Sequence, residues 1–100
     1  MISELTVRTK SASQYLQQLC KHFAHKVPAR HDPTSGKVDF PFGTSEMVAD
    51  SEILTIRCDC PDPSAQETMH RVIEDHLVRF AWREKLDVEW RAVSEAGSGR

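Results

Sequence analysis

The sequence predicts a small α+β protein, a two-layer sandwich with two helices packed on one face of a mostly antiparallel sheet. Two segments place apolar residues three and four positions apart, which is the spacing of an amphipathic helix. Other short segments alternate apolar and polar residues, as half-buried strands do. The middle strands are separated by turn residues, which favours hairpins and antiparallel pairing. The predicted order of elements is β-α-β-β-β-α-β.

The first strand is expected at residues 3–9, where Leu5 and Val7 share one face. Ser11, with a glutamine three positions later, forms a capping-box pattern that predicts the start of the first helix. This helix is expected to reach about Lys26. Its apolar stripe consists of Ala12, Tyr15, Leu16, Leu19, Cys20 and Phe23.

The middle of the chain contains the hairpin strands. Strands are expected around residues 38–40 and at 47–49, and residues 30–32 are a further candidate. The clearest strand lies at 53–60, because its apolar residues alternate strictly with polar ones.

The second helix is expected to begin with Asp62 as its cap and Pro63 in its first turn, with a capping box at residues 64–67 (SAQE) as the alternative start. It is expected to reach about Glu84. A final half-buried strand is predicted from the alternation of Leu86, Val88 and Trp90. We therefore expect one α+β domain over residues 1–93. Residues 94–100 are rich in Gly and Ser, which predicts a flexible C-terminal tail.

Composition narrows the class of protein. The chain has 100 residues and a formal net charge of −2, which argues against nucleic acid as a partner. No segment approaches the ~18 apolar residues of a membrane span, and the N-terminus lacks the pattern of a secretory signal. Three cysteines are a poor basis for a disulfide framework. We therefore expect a cytoplasmic protein with reduced thiols and no membrane partner.

Known catalytic and cofactor motifs are missing from the sequence, which predicts no cofactor and no metal and does not favour an enzyme. Cys58 and Cys60 lie on one face of a predicted strand. They are interpreted as small core residues, with a thiol switch as the alternative.

His76 falls within the apolar stripe of the second helix, where it is either a structural histidine or part of a pocket wall. His22 borders the stripe of the first helix. If the helices pack side by side, the two imidazoles approach each other, but the sequence does not determine that distance.

Arg79 and Arg83 follow His76 along one flank of the predicted helix, and Glu84 lies one turn beyond Phe80. Two guanidinium groups four positions apart can bind a carboxylate or phosphate. Pairing with neighbouring acidic residues is the alternative interpretation.

Val78 and Trp82 lie four positions apart on the predicted outer face of the second helix. A large aromatic side chain on a solvent face indicates a partner or dimer surface. Coverage by a loop or by the C-terminal tail is the alternative.

Two segments also resemble a known family. Residues 15–26 (YLQQLCKHFAHK) and 76–84 (HLVRFAWRE) are similar to two signatures of domain-of-unknown-function family 2218. The resemblance extends over about residues 5–92 and implies a small bacterial single-domain protein. It implies no activity, but relatives are similar to a segment found beside siderophore-interacting flavoproteins, which suggests iron acquisition. If the family shares a site, the matching positions are His22, His76, Arg79, Arg83 and Glu84.

Three functions therefore remain open. The leading hypothesis is a non-enzymatic binding or accessory module that holds an anionic small molecule or a protein partner, using His76, Arg79 and Arg83, with His22 beside them. The second is an interaction or homodimerisation module whose surface is Val78 and Trp82. The third is an enzyme in which a histidine acts as general base.

Overall fold

The computed structural model describes residues 1–93, and these form one α+β sandwich. The elements in chain order are β1 (Ile2–Arg8), α1 (Ala12–Phe23), β2 (Ala29–His31), β3 (Ser35–Phe40), β4 (Gly43–Ala49), β5 (Ile53–Asp59), α2 (Pro63–Phe80) and β6 (Trp90–Val93). The predicted fold class is confirmed. The tail predicted at residues 94–100 lies outside the described residues.

All six strands belong to one antiparallel sheet in the order β2-β3-β4-β5-β1-β6. Four strands, rather than the three of the predicted order, separate the helices. The additional strand is β2, at the edge of the sheet. It contains only three residues and pairs with β3 from Ala29 opposite Val38 to His31 opposite Gly36.

Both helices are shorter than predicted. The first ends at Phe23, and a turn at residues 24–26 replaces the expected last turn. The second ends at Phe80, because Ala81 leaves the helical conformation with ψ at 34°. Glu84 therefore lies in a turn, where its carboxylate accepts hydrogen bonds from Tyr15 and Thr9.

The helix caps agree with the sequence at one helix only. The Asp62 side chain accepts a hydrogen bond from the Ala65 amide at 2.8 Å, with Pro63 next to it, as predicted. Ser11 makes no such cap for α1, and its own amide donates to the Thr9 hydroxyl at 3.0 Å instead. The capping box predicted at Ser11 is therefore wrong.

The last strand differs from its prediction. Leu86 and Val88 precede it in a segment without regular structure, and β6 is Trp90–Val93. Pairing with β1 determines these bounds, since Trp90 lies opposite Leu5 and Val93 lies opposite Ile2.

The core lies between the helices and one face of the sheet. Its fully buried large side chains come from both layers: Leu5, Val7, Leu16, Leu19, Val38, Met47, Leu54, Ile56, Met69, Ile73 and Leu77. On the opposite face of the sheet, Glu4 contacts Arg91 at 2.6 Å and Arg57 at 3.7 Å. No helix within residues 1–93 is long and apolar enough to cross a membrane.

Candidate functional site

The imidazole of His22, in the last turn of α1, lies against the imidazole of His76 on α2. Their ring centroids are 4.4 Å apart, and the ring planes are inclined by 46°. His76 Nδ1 lies 2.7 Å from the Val72 carbonyl oxygen. Because a carbonyl only accepts hydrogen bonds, Nδ1 carries a proton and donates it, which leaves Nε2 for other contacts.

Aromatic rings continue from the histidine pair towards the β3–β4 turn. Phe23 contacts His76 edge-on with centroids 5.1 Å apart, and it contacts Phe40 in the same manner at 4.9 Å. Phe40 is stacked on Phe42, with centroids 5.1 Å apart and planes within 18°. The turn is therefore joined to both helices through one series of ring contacts.

These rings line a cleft of about 240 Å³, which we call the histidine cleft. Its walls are the end of α1 with the turn after it, the β3–β4 turn and the middle of α2. The lining residues are His22, Phe23, Lys26, Val27, Phe40, Pro41, Phe42, Val72 and His76. Apolar side chains predominate, and the polar ones are the two histidines and one lysine.

The charges around the histidine cleft are positive. Desolvation lowers the pKa of His22 below 6.5, and repulsion from His76, His25, Lys26 and Arg79 lowers it further. Each charged group in that set is cationic or becomes cationic at low pH. An anion placed beside His22 would relieve this repulsion.

Arg83 and Glu84 lie away from this cleft. The Arg83 guanidinium is 4.6 Å from the centroid of the Trp82 ring, a cation–π contact. The Glu84 carboxylate accepts from the Thr9 hydroxyl at 2.9 Å and from the Tyr15 hydroxyl. Since α2 ends at Phe80, the predicted pair of arginines four apart on one helix edge is wrong.

Val78 and Trp82 are both exposed, at 55% and 73% of their accessible area. Val78 lies on α2, whereas Trp82 lies in the turn after it rather than on the helix. The two residues and Leu86 border one surface depression, whose other lining residues are the charged Arg83, Glu84 and Lys85. The described residues therefore leave the side chains of Val78 and Trp82 uncovered.

Of the nine residues that line the cleft, only His22 and His76 were site candidates from the sequence; Lys26, Phe40 and Phe42 are among those that were not. The sequence of the segment Phe40-Pro41-Phe42 could have indicated part of this site. Two phenylalanines at a hairpin turn indicate that another element packs against them.

A second ring cluster was also missed. His70 stacks on Trp90 with centroids 3.9 Å apart and planes within 8°. His70 Nε2 is hydrogen-bonded to the Ser3 hydroxyl at 2.6 Å, and the Trp90 indole donates to Glu74. Because Ser3 is buried, we interpret this cluster as the attachment of β6 to α2.

The part of the chain that the structure describes contains no candidate metal-binding site. No group of three His, Cys, Asp or Glu residues there is placed to hold a metal ion. Cys20, Cys58 and Cys60 are free and buried.

Comparison with known proteins gives the family but no activity. The NMR structure of PA4090 from Pseudomonas aeruginosa is similar, with a TM-score of 0.76 and 31% sequence identity, covering 95% of this chain and 100% of that one. Comparison with curated proteins gave no match. The family model DUF2218, an uncharacterized protein conserved in bacteria, matches residues 4–91. The chain therefore belongs to the family DUF2218, which confirms the family predicted from the sequence.

Proposed function

We propose that this protein is a non-enzymatic binding module that holds an anionic small molecule, or an anionic group of a partner, in the histidine cleft. The observation that supports the proposal is the convergence of His22 and His76 at 4.4 Å beside Lys26. A cleft with apolar walls and a few placed polar groups is the usual form of a ligand site.

The charge around the cleft favours an anion. Lys26 lines the cleft, and Arg79 is close enough to His22 to lower its pKa. Charge-assisted hydrogen bonds to a carboxylate or phosphate are stronger than neutral ones. Arg83 is omitted from the proposed site, because its guanidinium stacks on Trp82.

Binding is favoured over general-base catalysis. His76 donates from Nδ1 to the Val72 carbonyl, which leaves Nε2 as an acceptor, and the other polar side chains lining the cleft are His22 and Lys26. A catalytic histidine base normally acts on a nucleophile or is paired with an acidic group beside it. No serine, threonine, cysteine or carboxylate side chain belongs to the described lining of this cleft.

The link to iron acquisition that the family resemblance implies remains part of this proposal. We further propose a cytoplasmic location, with neither nucleic acid nor membrane as partner, in keeping with the net charge of −2.

Amide-resolved NMR titration of the ¹⁵N-labelled protein tests the proposal. Small anions and neutral fragments are added separately, and we expect saturable shifts at the cleft for at least one anion. Arg79→Ala should weaken that binding, whereas Arg83→Ala, which changes the same residue type outside the cleft, should not. Absence of saturable shifts at the cleft with every anion would refute the proposal.

A second candidate function is self-association through Val78 and Trp82, and the 73% exposure of the Trp82 side chain favours it. Light scattering of the wild type and of Trp82→Glu tests it. We expect a dimer that Trp82→Glu dissociates. Val48→Glu is the matched control, because Val48 is 57% exposed but lies on the sheet face opposite the helices. A monomeric wild type would exclude this function.

A further inference from the structure

We infer that the ligand of the histidine cleft is a carboxylate carried on a single aromatic ring. This inference rests on the proposed function and names the class of the ligand. The ring lies against the phenylalanines of the β3–β4 turn, and the carboxylate lies between Lys26 and His22.

The phenylalanine wall favours an aromatic ring. Phe40 and Phe42 are stacked within 18° and are only half-buried, so part of their ring surface remains accessible from the cleft. Phe23 already meets Phe40 edge-on at 4.9 Å. A flat ring added here extends the same pattern of stacked and edge-on contacts, which stabilise aromatic pairs beyond the apolar area that they bury.

The cleft is small. Its volume of about 240 Å³ lies below the range of roughly 300–1,000 Å³ typical of sites for drug-sized molecules. One ring with one small substituent is therefore enough to fill the cleft.

The position of the charges favours a carboxylate at one end. The charged or titratable groups acting on His22 are His76 and Arg79 from α2, and His25 and Lys26 from the turn after α1. None of them is acidic. A carboxylate on this side is attracted by Lys26 and accepts hydrogen bonds from the imidazoles. Because it stabilises the protonated form of His22, its binding is coupled to proton uptake.

NMR titration with three matched probes tests the inference: benzoate, cyclohexanecarboxylate and benzamide. Cyclohexanecarboxylate retains the charge without the aromatic ring, and benzamide retains the ring without the charge. We expect benzoate to bind at the cleft, benzamide about tenfold more weakly and cyclohexanecarboxylate about threefold more weakly. Benzoate affinity should rise as the pH falls from 7.5 to 6.

Two substitutions locate the ligand. Lys26→Ala should lower the affinity for benzoate several-fold. Lys21→Ala should leave this affinity unchanged, because Lys21 is an exposed residue of α1 outside the cleft lining. Phe42→Leu should remove the preference for benzoate over cyclohexanecarboxylate while both still bind. The amide spectrum of each variant shows whether it is folded.

The outcomes separate the ligand class from the proposed function. Equal affinities for benzoate and benzamide would show that the cleft does not recognise the carboxylate. Equal affinities for benzoate and cyclohexanecarboxylate would show that it does not recognise the aromatic ring. Saturable binding of phosphate or acetate at the cleft without binding of benzoate would overturn the ligand class alone. A cleft that binds no anion would overturn the class and the proposed function together.

Discussion

His22 and His76 face each other from different helices, with ring centroids 4.4 Å apart. The His76 ring is held by its hydrogen bond to the Val72 carbonyl, whereas His22 at the end of α1 is exposed to solvent. Two imidazoles at this distance repel each other when both are protonated. His76 therefore opposes protonation of His22, and this effect on the pKa of His22 gives the first test of the site geometry.

We predict that His22 titrates below the ordinary histidine pKa of 6.5. Desolvation is the largest cause, and the neighbouring His76 is the next. Following the imidazole Cε1–H signals by NMR as a function of pH measures the titration directly. In His76→Gln, which removes the ionisable neighbour, the midpoint of His22 should move upwards. A wild-type midpoint at or above 6.5 would contradict the arrangement.

His70 should make stability depend on pH. Burial lowers its pKa below 6.5, and Glu74 opposes this only in part. The neutral form is thus favoured in the folded state, and the unfolded chain binds more protons below pH 6.5. Its contribution to stability is complete above pH 6.5 and is lost as the pH falls through the folded-state pKa.

Urea unfolding at several pH values between 7.5 and 4.5 measures this effect. We expect His70→Gln to show a smaller loss of stability on acidification than the wild type. His31→Gln is the matched control, because His31 is an exposed residue of the edge strand β2. If His70→Gln and wild type lose stability in parallel, the preference of the half-buried His70 for the neutral form is refuted.

Glu84 should act in stability rather than in ligand binding. Its carboxylate accepts hydrogen bonds from Thr9 and Tyr15, which are 4% and 5% exposed. Glu84→Ala leaves both hydroxyls without this acceptor, and we expect a loss of about 1–3 kcal/mol in the free energy of unfolding.

Denaturant unfolding measures this loss, with Glu89→Ala as the control, since Glu89 is an exposed acid of the segment before β6. Tyr15→Phe should reduce the effect of Glu84→Ala, because it removes one of the two donors. If Glu84→Ala has unchanged stability, or selectively loses anion binding, Glu84 belongs to the ligand-binding site instead.

The helical stripes were predictable because burial follows a local period. Leu16 and Leu19 on α1, and Met69, Ile73 and Leu77 on α2, are all fully buried. The helix ends and the strand β2 were less predictable because they depend on tertiary contacts. The three residues of β2 are a strand through their pairing with β3.

The candidate site was predictable only in part. His76 falls within one apolar stripe and His22 borders the other, so their candidacy follows from periodicity. Their distance depends on where one helix crosses the other, and Lys26 and Phe42 join them from separate turns. Arg83 illustrates the opposite error, because a helical position was assumed for a residue that lies in a turn.

The three cysteines should be unreactive while the protein is folded. Burial raises the pKa of Cys58 to about 12 and that of Cys20 to about 11, and it also raises the pKa of Cys60. Because the thiolate is the reactive form, modification by a chromogenic disulfide reagent at pH 8 should be slow. In denaturant all thiols should react rapidly. Fast reaction of one thiol in the native protein would instead support the thiol switch.

Gly36 should be intolerant of a side chain. A Cβ atom at this position would lie 2.6 Å from the Cys20 sulfur and 3.2 Å from Leu16 Cδ2. Both neighbours are fully buried, so they have little room to move. We expect Gly36→Ala to lose about 1–3 kcal/mol of stability through overpacking. Denaturant unfolding of the purified variant gives the value.

The double substitution distinguishes overpacking from a general weakening of the β3 strand. Cys20→Ala removes the sulfur atom that the new methyl group would meet, so Gly36→Ala should cost less in that background than in the wild type. We expect a coupling of at least about 0.5 kcal/mol between the two positions, the range found for residues in contact. Additive effects would mean that the Cys20 sulfur is not the obstacle, and that α1 lies farther from β3 than the structure places it.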